Sequence, residues 1–584
     1  MPGDKRRAPL DTILDGTAAI YGTAQGELLV SAVALSFWGG VDSWTGRVID
    51  SHHDLNGHLL EGKIVAIPSG RGSCASSGVM MELLLNGHGP LALLLQEPDD
   101  ILAFGAIVSE EVFGKSVPIV VLGEEGYARL SGHSHALVAG GRVHLGDAPF
   151  ELRQAESRAA RPDGLLLSAR DRDCLDGMHG RATEVAMRII VRMAALQGAK
   201  RLFDVTRVHI DGCVYTGPAS LKFAEQFRDW GGTVAIPTTL NAISVDARRW
   251  RQQGVPVAFG EAAERLGEAY VAMGAAPTFT CAPYLLEGSP GYGEQIAWAE
   301  SNAVVYANSV SGARTMKYPD YLDACIALTG RAPFSGCHTE AGRRPGLHVE
   351  VVKLTGVDDS YFPLLGYHIG KIAGGRIPLI CGLAHLAPTH DDLKAFSAAF
   401  ATTSGAPMFH MAGVTPEAAV HASAELETCR IEAGALARTW DELNSTRDTR
   451  VGLVSLGNPH FSLGEFAALA ELCRGRKKDP AVEMIITSGR AVHAQAASAG
   501  TIRVLEDFGA RFSTDTCWCL IEEPVIPVTA RVIITNSAKY AHYGPGLTGR
   551  KFRFGSLSDC VDAACGEGAS ASAPAWLKRT FAAI

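Results

Sequence analysis

The stretch GKIVAIPSGRGSCASSGVMMELLLNG, residues 62–87, runs from an apolar segment through a loop of glycines and serines into a second apolar segment. The segment IVAI is short, apolar and continuous, as a strand buried on both faces is. Gly70 and Gly72 give the loop backbone freedom, and its serines are helix-capping residues. The stretch therefore predicts strand, loop and helix N-terminus in succession, the unit from which a β/α domain is built. The loop itself has two readings. It is turn and capping chemistry, or its amides at the helix start join Arg71 in a cradle for anionic oxygen, with Ser73 inside. It does not match the nucleotide-binding loops: GRGSCA lacks the third glycine of the dinucleotide fingerprint, and no Gly-Lys-Ser/Thr follows.

Working outward, ELLVSAVALSFWGG precedes the stretch, and strand-like LALLLQ, helix-like DILAFGAIVSEEVFG and strand-like VPIVVLG follow it. This alternation predicts a compact N-terminal β/α domain over residues 1–149. The charged segment FELRQAESRAARPDG reads as a linker at 150–164. The amphipathic RATEVAMRIIVRMAALQGA then opens a larger α/β region, residues 165–584. Within it, polar clusters end apolar runs again and again: HIDGCVY, TFTCAPYL, LVSLGNPHFS, FSTDTCW, IITNSAKYAHYGPG. Ligand sites of open α/β sheets gather at such strand ends, so several clusters are expected to converge.

The 584 residues carry a net charge of -9 with 47% hydrophobic residues, which excludes nucleic acid or an anionic membrane surface as the main partner. No apolar run is long enough to span a bilayer, and MPGDKRRAPLD lacks the apolar core of a secretory signal. Thirteen scattered cysteines point to reduced thiols in the cytoplasm. No CxxC or HExxH motif occurs. The CWC at 517–519, read as a strand, points alternate residues to opposite faces.

The succession LSFWGGVDSWTGRVIDSHHDLNGHLLEGKIVAIPSGRGSCASS closely resembles the swivel domain of the aconitase X family. TCAPYL, AWAESNAVVYANSVSGART, HMAGVTPEAA, TDTCW and TNSAKYAHYGPG resemble its catalytic domain, in the family's order, from about residue 10 to 565. The resemblance implies an α/β swivel domain fused to a multi-layer α/β catalytic domain, an iron–sulfur cluster and dehydration of a hydroxy acid. Family members with the swivel on a separate chain resemble phosphomevalonate dehydratases. The fused layout, which requires no small subunit, implies a hydroxy amino acid substrate, cis-3-hydroxy-L-proline.

Carried over by position, the resemblance puts cluster ligands at Cys281 and Cys517. Where the family has Gly-Cys-Pro-His this chain has GNPH, so Asn458 replaces a cysteine and the third ligand is open. Cys381 in PLICGL is the candidate, with Asn458, another residue or water as alternatives, and the departure fits a [2Fe–2S] cluster better than a four-iron one. Substrate positions fall on Gly212, Cys213, Val214, Asn241, Glu300, Ser301 and Lys539, with Arg71 beside them, and the proton acceptor falls on Ser73. Lys539 is expected to orient the substrate carboxylate or to protonate the leaving hydroxide, and Glu300 to hold the ring nitrogen's cation. His52, His53, His338, His410 and His460 read as structural histidines and Cys74 as a small core residue. Arg314 reads either as a carboxylate clamp or as half of a structural ion pair. Dehydration of phosphomevalonate, a non-catalytic iron–sulfur protein and a metal-free scaffold are the alternatives.

Overall fold

The computed structural model describes residues 12–150, 164–421, 425–566 and 573–581. Almost all of the expected linker and most of the GEGASASAPA segment lie outside the described residues.

The N-terminal domain is an eight-stranded sheet. Its centre is a parallel run of Thr23–Val30, Lys63–Ile67, Ala92–Leu95 and Ile119–Val121, in register from Val30 against Ala66 and Ile67 against Leu95. Antiparallel strands close both edges. Alternation within the parallel strands sorts side chains to two faces. Val65, Ile67, Leu93 and Leu95 face the helices Ser76–Asn86 and Asp100–Phe113, and Ile64, Ala66, Ala92 and Leu94 pack on the other side. Both faces are covered, which explains the unbroken apolar runs in the sequence.

The quoted stretch is thus strand, loop and helix as predicted, but its serines do not cap the helix. No side chain caps the Ser76–Asn86 helix, whose N-cap is Ala75. Ser76 and Ser77 lie in its first turn instead. Ser76 Oγ accepts from the Trp38 amide at 3.1 Å, and Ser77 Oγ donates to the Cys74 carbonyl at 3.0 Å.

The larger region is built on three parallel sheets rather than one. A three-stranded sheet has Val208–Ile210 between Thr238–Leu240 and Ala297–Trp298. A four-stranded sheet is ordered His410–Met411, Pro378–Cys381, Leu347–Val351, Thr428–Ile431. A five-stranded sheet is ordered Arg511–Thr514, Glu483–Ser488, Leu453–Leu456, Val532–Thr535, Lys551–Phe554. The first and third present their C-terminal strand ends to one another: Ile243 pairs with Thr516, and its amide donates to the Asp515 carbonyl at 2.8 Å.

The swivel domain docks over this junction. Glu82, inside its first helix, accepts at 2.7 Å from the Ala219 amide in the first turn of the Pro218–Asp229 helix, where an anion is favoured. Glu111 pairs with Arg188 and Arg192, and Phe37, Trp38 and Val41 join one apolar cluster with Trp518, Tyr540 and Tyr543.

Candidate active site

Three residues leave adjacent ends of the three-stranded sheet together. Asp211 follows Ile210, Asn241 follows Leu240, and Glu300 lies two residues beyond Trp298. Asn241 Nδ2 donates to Asp211 Oδ1 and, at 3.1 Å, to Glu300 Oε2. Glu300 Oε1 accepts from Asn302 Nδ2 at 2.7 Å and from Lys539 Nζ at 3.1 Å. Burial works to raise the Glu300 carboxyl, but Lys539 and the amide donors outweigh it and leave it below the usual range. Lys539 enters from the opposite side, in the first turn of the helix that follows Val532–Thr535. Its ammonium also lies 5.8 Å from the centre of the Trp38 ring of the swivel domain.

The thiols converge on the same ammonium. Cys517 is hydrogen-bonded to Cys281 on one side and to Cys519 on the other, and with Lys539 these contacts hold it well below the usual thiol range against the effect of burial. Cys519 in turn accepts from Asn458 Nδ2 at 3.1 Å. The CWC segment is not a strand: Cys517 is the N-cap residue of a 3-10 turn over Trp518–Leu520, and its thiol is in contact with that of Cys519. Cys381 is not brought to this group. It ends the strand Pro378–Cys381 in the second sheet, 3.3 Å from His348 Nε2 and in register with Glu350 on the neighbouring strand. The third thiol of the site is Cys519.

Both cysteine loops are held in unusual backbone conformations. Phe279 and Asp515, each two residues before a site cysteine, have φ of 40° and 70°. Positive φ at non-glycine residues persists where surroundings enforce it, commonly at functional sites. Arg490 does this for both: it bonds both Asp515 oxygens at 2.8 Å and stacks over the Phe279 ring.

Ser73 lies on the swivel side, at a cavity whose lining includes neither Glu300, Lys539 nor the thiols. Its Oγ accepts from the Ala75 amide at 3.3 Å, and it lines this cavity of about 830 Å³ with Arg71, Lys317, Tyr367 and His542. Arg71 is already engaged by Asp50 at 2.5 Å and by the Ala34 carbonyl at 2.9 Å. Gly72 is placed by necessity, with φ of 78° and a Cβ that would meet Tyr543 Oη at 2.5 Å and Ser36 Oγ at 2.8 Å. Gly72→Ala is expected to push the loop out of place. It adds about 1–2 kcal/mol of left-handed strain to that clash, and is expected to raise KM and lower kcat together while leaving far-ultraviolet circular dichroism unchanged.

The remaining expected residues separate clearly. Cys213 is a core thiol donating to the Asn241 carbonyl at 3.2 Å, and Gly212 and Val214 flank it beside Tyr321 and the apolar core. Ser301 points its hydroxyl at Glu300, 3.4 Å away. Arg314 is ion-paired with Glu340. His338 bonds Tyr318 and Gln295, and His53 bonds the Val33 carbonyl, as structural histidines do. His410 bonds the Arg343 carbonyl, while His52 stacks on His542 at the cavity wall. His460 shapes the thiol site, its amide donating to Cys281 Sγ at 3.3 Å. Cys74 is buried, as expected.

Behind Asn241 lies a group that no motif announces. Asp211, Asp320 and Asp323 are all buried, and Asp323 takes the Asp211 amide at 2.6 Å. Asp211 Oδ2 and Asp320 Oδ1 have no donor, yet the two carboxyl groups are in hydrogen-bonding contact, an arrangement that requires a shared proton. Burial and the neighbouring carboxylates raise both well above the usual range. The folded state therefore binds that proton more tightly than the unfolded chain, and its contribution to stability fades as pH rises above the unfolded value. Asp320→Asn removes this loss. Relative to wild type it is expected to gain stability as pH rises above about 4, where unfolded carboxyls titrate, measured as the difference in denaturation midpoint.

Similarity to known proteins accords with this geometry. The swivel domain of aconitase X matches residues 13–145, and the first, second and third aconitase X domains match residues 164–341, 345–441 and 451–566. The chain belongs to the aconitase X family. It is 57% identical to a cis-3-hydroxy-L-proline dehydratase of Hypocrea jecorina, over 95% of this chain and 96% of that one. It is 55% identical to one of Pseudomonas aeruginosa, over 96% and 97%. The holo-form crystal structure of Thermococcus kodakaraensis aconitase X superposes with a TM-score of 0.63 at 29% identity, covering 68% of this chain and all of that one. Aconitase X enzymes are iron–sulfur enzymes, and the swivel domain here is part of the same polypeptide. The three catalytic matches follow the three sheets.

The donor set fits such a cluster. Among the described residues no three His, Cys, Asp or Glu side chains close around one point as a single-ion cage does. The thiols instead form a row with Cys517 in the middle, soft donors of the kind that bind iron–sulfur clusters. Asn458 Oδ1 beside the row is buried without a donor.

Proposed function

We propose that this chain is an iron–sulfur hydro-lyase that removes water from cis-3-hydroxy-L-proline, the resulting enamine tautomerising to 1-pyrroline-2-carboxylate. The observation that carries this reading is Lys539, whose ammonium faces Glu300 on one side and the thiol row on the other. An acid–base pair and a cluster site are thereby joined in one buried centre, walled by the swivel domain. Cys281, Cys517 and Cys519 would hold the cluster, a [2Fe–2S] unit being the one three thiols and Asn458 suit. When bound, its iron supplies a Lewis acid for substrate oxygen.

In this reading Ser73 accepts the proton from the carbon bearing the carboxylate. Glu300, kept ionised by Lys539 and Asn302, balances the ring nitrogen's charge, while Asn241 fixes the carboxylate's second oxygen. Lys539 protonates the departing hydroxide. The cations on the outer cavity wall are paired, Lys371 with Glu442 and Arg376 with Glu427, so they offer a phosphate little and phosphomevalonate is disfavoured. Among the described residues the cysteines form no disulfide, which fits a reducing cytoplasm, and no helix is long and apolar enough to cross a membrane. Anaerobically prepared protein is expected to carry iron and sulfide and to turn over cis-3-hydroxy-L-proline but not phosphomevalonate. Iron-loaded protein inert towards both leaves the non-catalytic reading in its place.

A further inference from the structure

Three lysines are buried among the described residues, and they are not alike. Lys394 is paired with Glu465 and Lys539 with Glu300. Lys317 has carbonyl partners only: its Nζ lies 2.7 Å from the Gly72 oxygen and 3.1 Å from the Ser404 oxygen. Gly72 immediately precedes Ser73, and Lys317 and Ser73 line the same cavity. A neutral amine has two N–H bonds and one lone pair. Two carbonyl acceptors use both N–H bonds and leave the lone pair as the open position of the nitrogen.

The charges facing Lys317 come from both domains. Cys74 and Asp99 of the swivel, together with Glu300, favour its ammonium form, and Lys539 disfavours it. Burial is the largest influence, and the balance leaves the amine below the ordinary lysine range. The other cation beside Ser73, Arg71, is ion-paired with Asp50. The Ser73 hydroxyl accepts from the Ala75 amide but donates to no described acceptor. A serine hydroxyl lacking an acceptor and a buried amine lacking a counter-ion thus meet at one cavity, the composition of a Ser–Lys pair.

We propose that Lys317 takes the hydroxyl proton of Ser73, allowing Ser73 Oγ to accept the proton of the substrate. This rests on the reading of Ser73 as proton acceptor and extends it. The substrate's C–H proton moves to Ser73 Oγ while the hydroxyl's own proton moves to Lys317 Nζ. The C–H electron pair becomes the carbon–carbon double bond, and the C–O bond breaks with its pair on oxygen. That oxygen takes a proton from Lys539 and leaves as water. Lys317 then gives its proton to solvent and Lys539 regains one, so the net change is loss of one water from the substrate. Lys317 acts through Ser73 and is in this sense a positioning residue.

The test uses iron-loaded holoenzyme carrying Lys317→Gln, Lys317→Arg or Ser73→Ala. Both Lys317 variants are expected to lose about a hundredfold or more in kcat, with KM within a few-fold and with iron content and melting midpoint unchanged. The acid limb of the pH–rate profile is expected to disappear in Lys317→Gln. Arginine can keep the bonds to the two carbonyls but has no lone pair to take a proton, so wild-type kcat in Lys317→Arg assigns Lys317 a bridging role only and overturns the proposal. A second readout needs no turnover. In competitive labelling with acetic anhydride, Lys317 is expected to react at lower pH than exposed Lys200, in wild type and in Ser73→Ala alike, and coincident labelling profiles overturn the proposal. Full activity in Ser73→Ala overturns the underlying reading instead. An inactive Ser73→Ala beside a fully active Lys317→Gln removes Lys317 alone.

Discussion

Cys519→Ala is expected to yield protein with little iron and no measurable turnover, whereas Cys381→Ala retains wild-type iron, sulfide and activity. The contrast follows from where each thiol lies. Cys519 shares a buried row with Cys517 and Cys281, beside an ammonium that favours their ionised forms, and Asn458 is hydrogen-bonded to it. A cluster bound by three thiolates loses a ligand with this one substitution, and ligand loss is expected to exceed the roughly 10–100-fold effect of losing an outer hydrogen-bonding partner. Cys381 lies on a different sheet, beside His348 and Glu350 of the neighbouring strand. Asn458→Ala provides the intermediate case, with iron retained but more readily removed by a chelator. Iron and sulfide content with visible absorption decides all three. Retention of iron in Cys519→Ala together with its loss in Cys381→Ala would reverse the assignment.

Cys381, expected as the third ligand but set on the second sheet, away from Cys281 and Cys517, shows what the sequence could and could not convey. Strand, loop and helix at residues 62–87 were legible because each obeys a local rule: a continuous apolar run, two glycines and a helical apolar spacing. The swivel sheet followed from repeating that pattern. The division of the larger region into three sheets was not legible, since strands of two to four residues, such as Ala297–Trp298, are too short to show a period. At Cys517 and Cys519 the alternating reading assumed a strand where Asp515, at positive φ and held by Arg490, turns the chain instead. Glu300, Asn241 and Lys539 were reached through resemblance, and the structure joins them in one hydrogen-bonded chain. Lys317, Asp211 and Asp320 belong to no spacing motif, because their significance depends on partners 80 or more residues away in the chain: Gly72 and Ser404 for Lys317, and the two carboxylates for one another.

Lys539→Ala is expected to cost both fold and function, and the two losses can be separated. Lys539 and Glu300 are each less than a tenth exposed and 3.1 Å apart. Removing one partner of a buried pair leaves the other charge without compensation, a loss of about 3–5 kcal/mol. Burial, no longer opposed by the ammonium, then raises the Glu300 carboxyl, so the variant is expected to be less unstable in acid than at neutral pH. Lys539→Met combined with Glu300→Gln removes both charges while keeping most of the side-chain volume, and the Gln amide can still accept from Asn302. This double variant is expected to recover most of the stability lost by either single change, because no buried charge remains unpaired. It is not expected to recover turnover, since no group remains to protonate the leaving hydroxide or to balance the ring nitrogen. Denaturation midpoints of wild type, Lys539→Met, Glu300→Gln and the double variant give the coupling, and kcat of the double variant gives the chemistry. Recovery of both sinks the assignment of Lys539 to the reaction, leaving a structural ion pair. Recovery of stability alone assigns the pair to catalysis, the desolvated charges being kept for the reaction they perform.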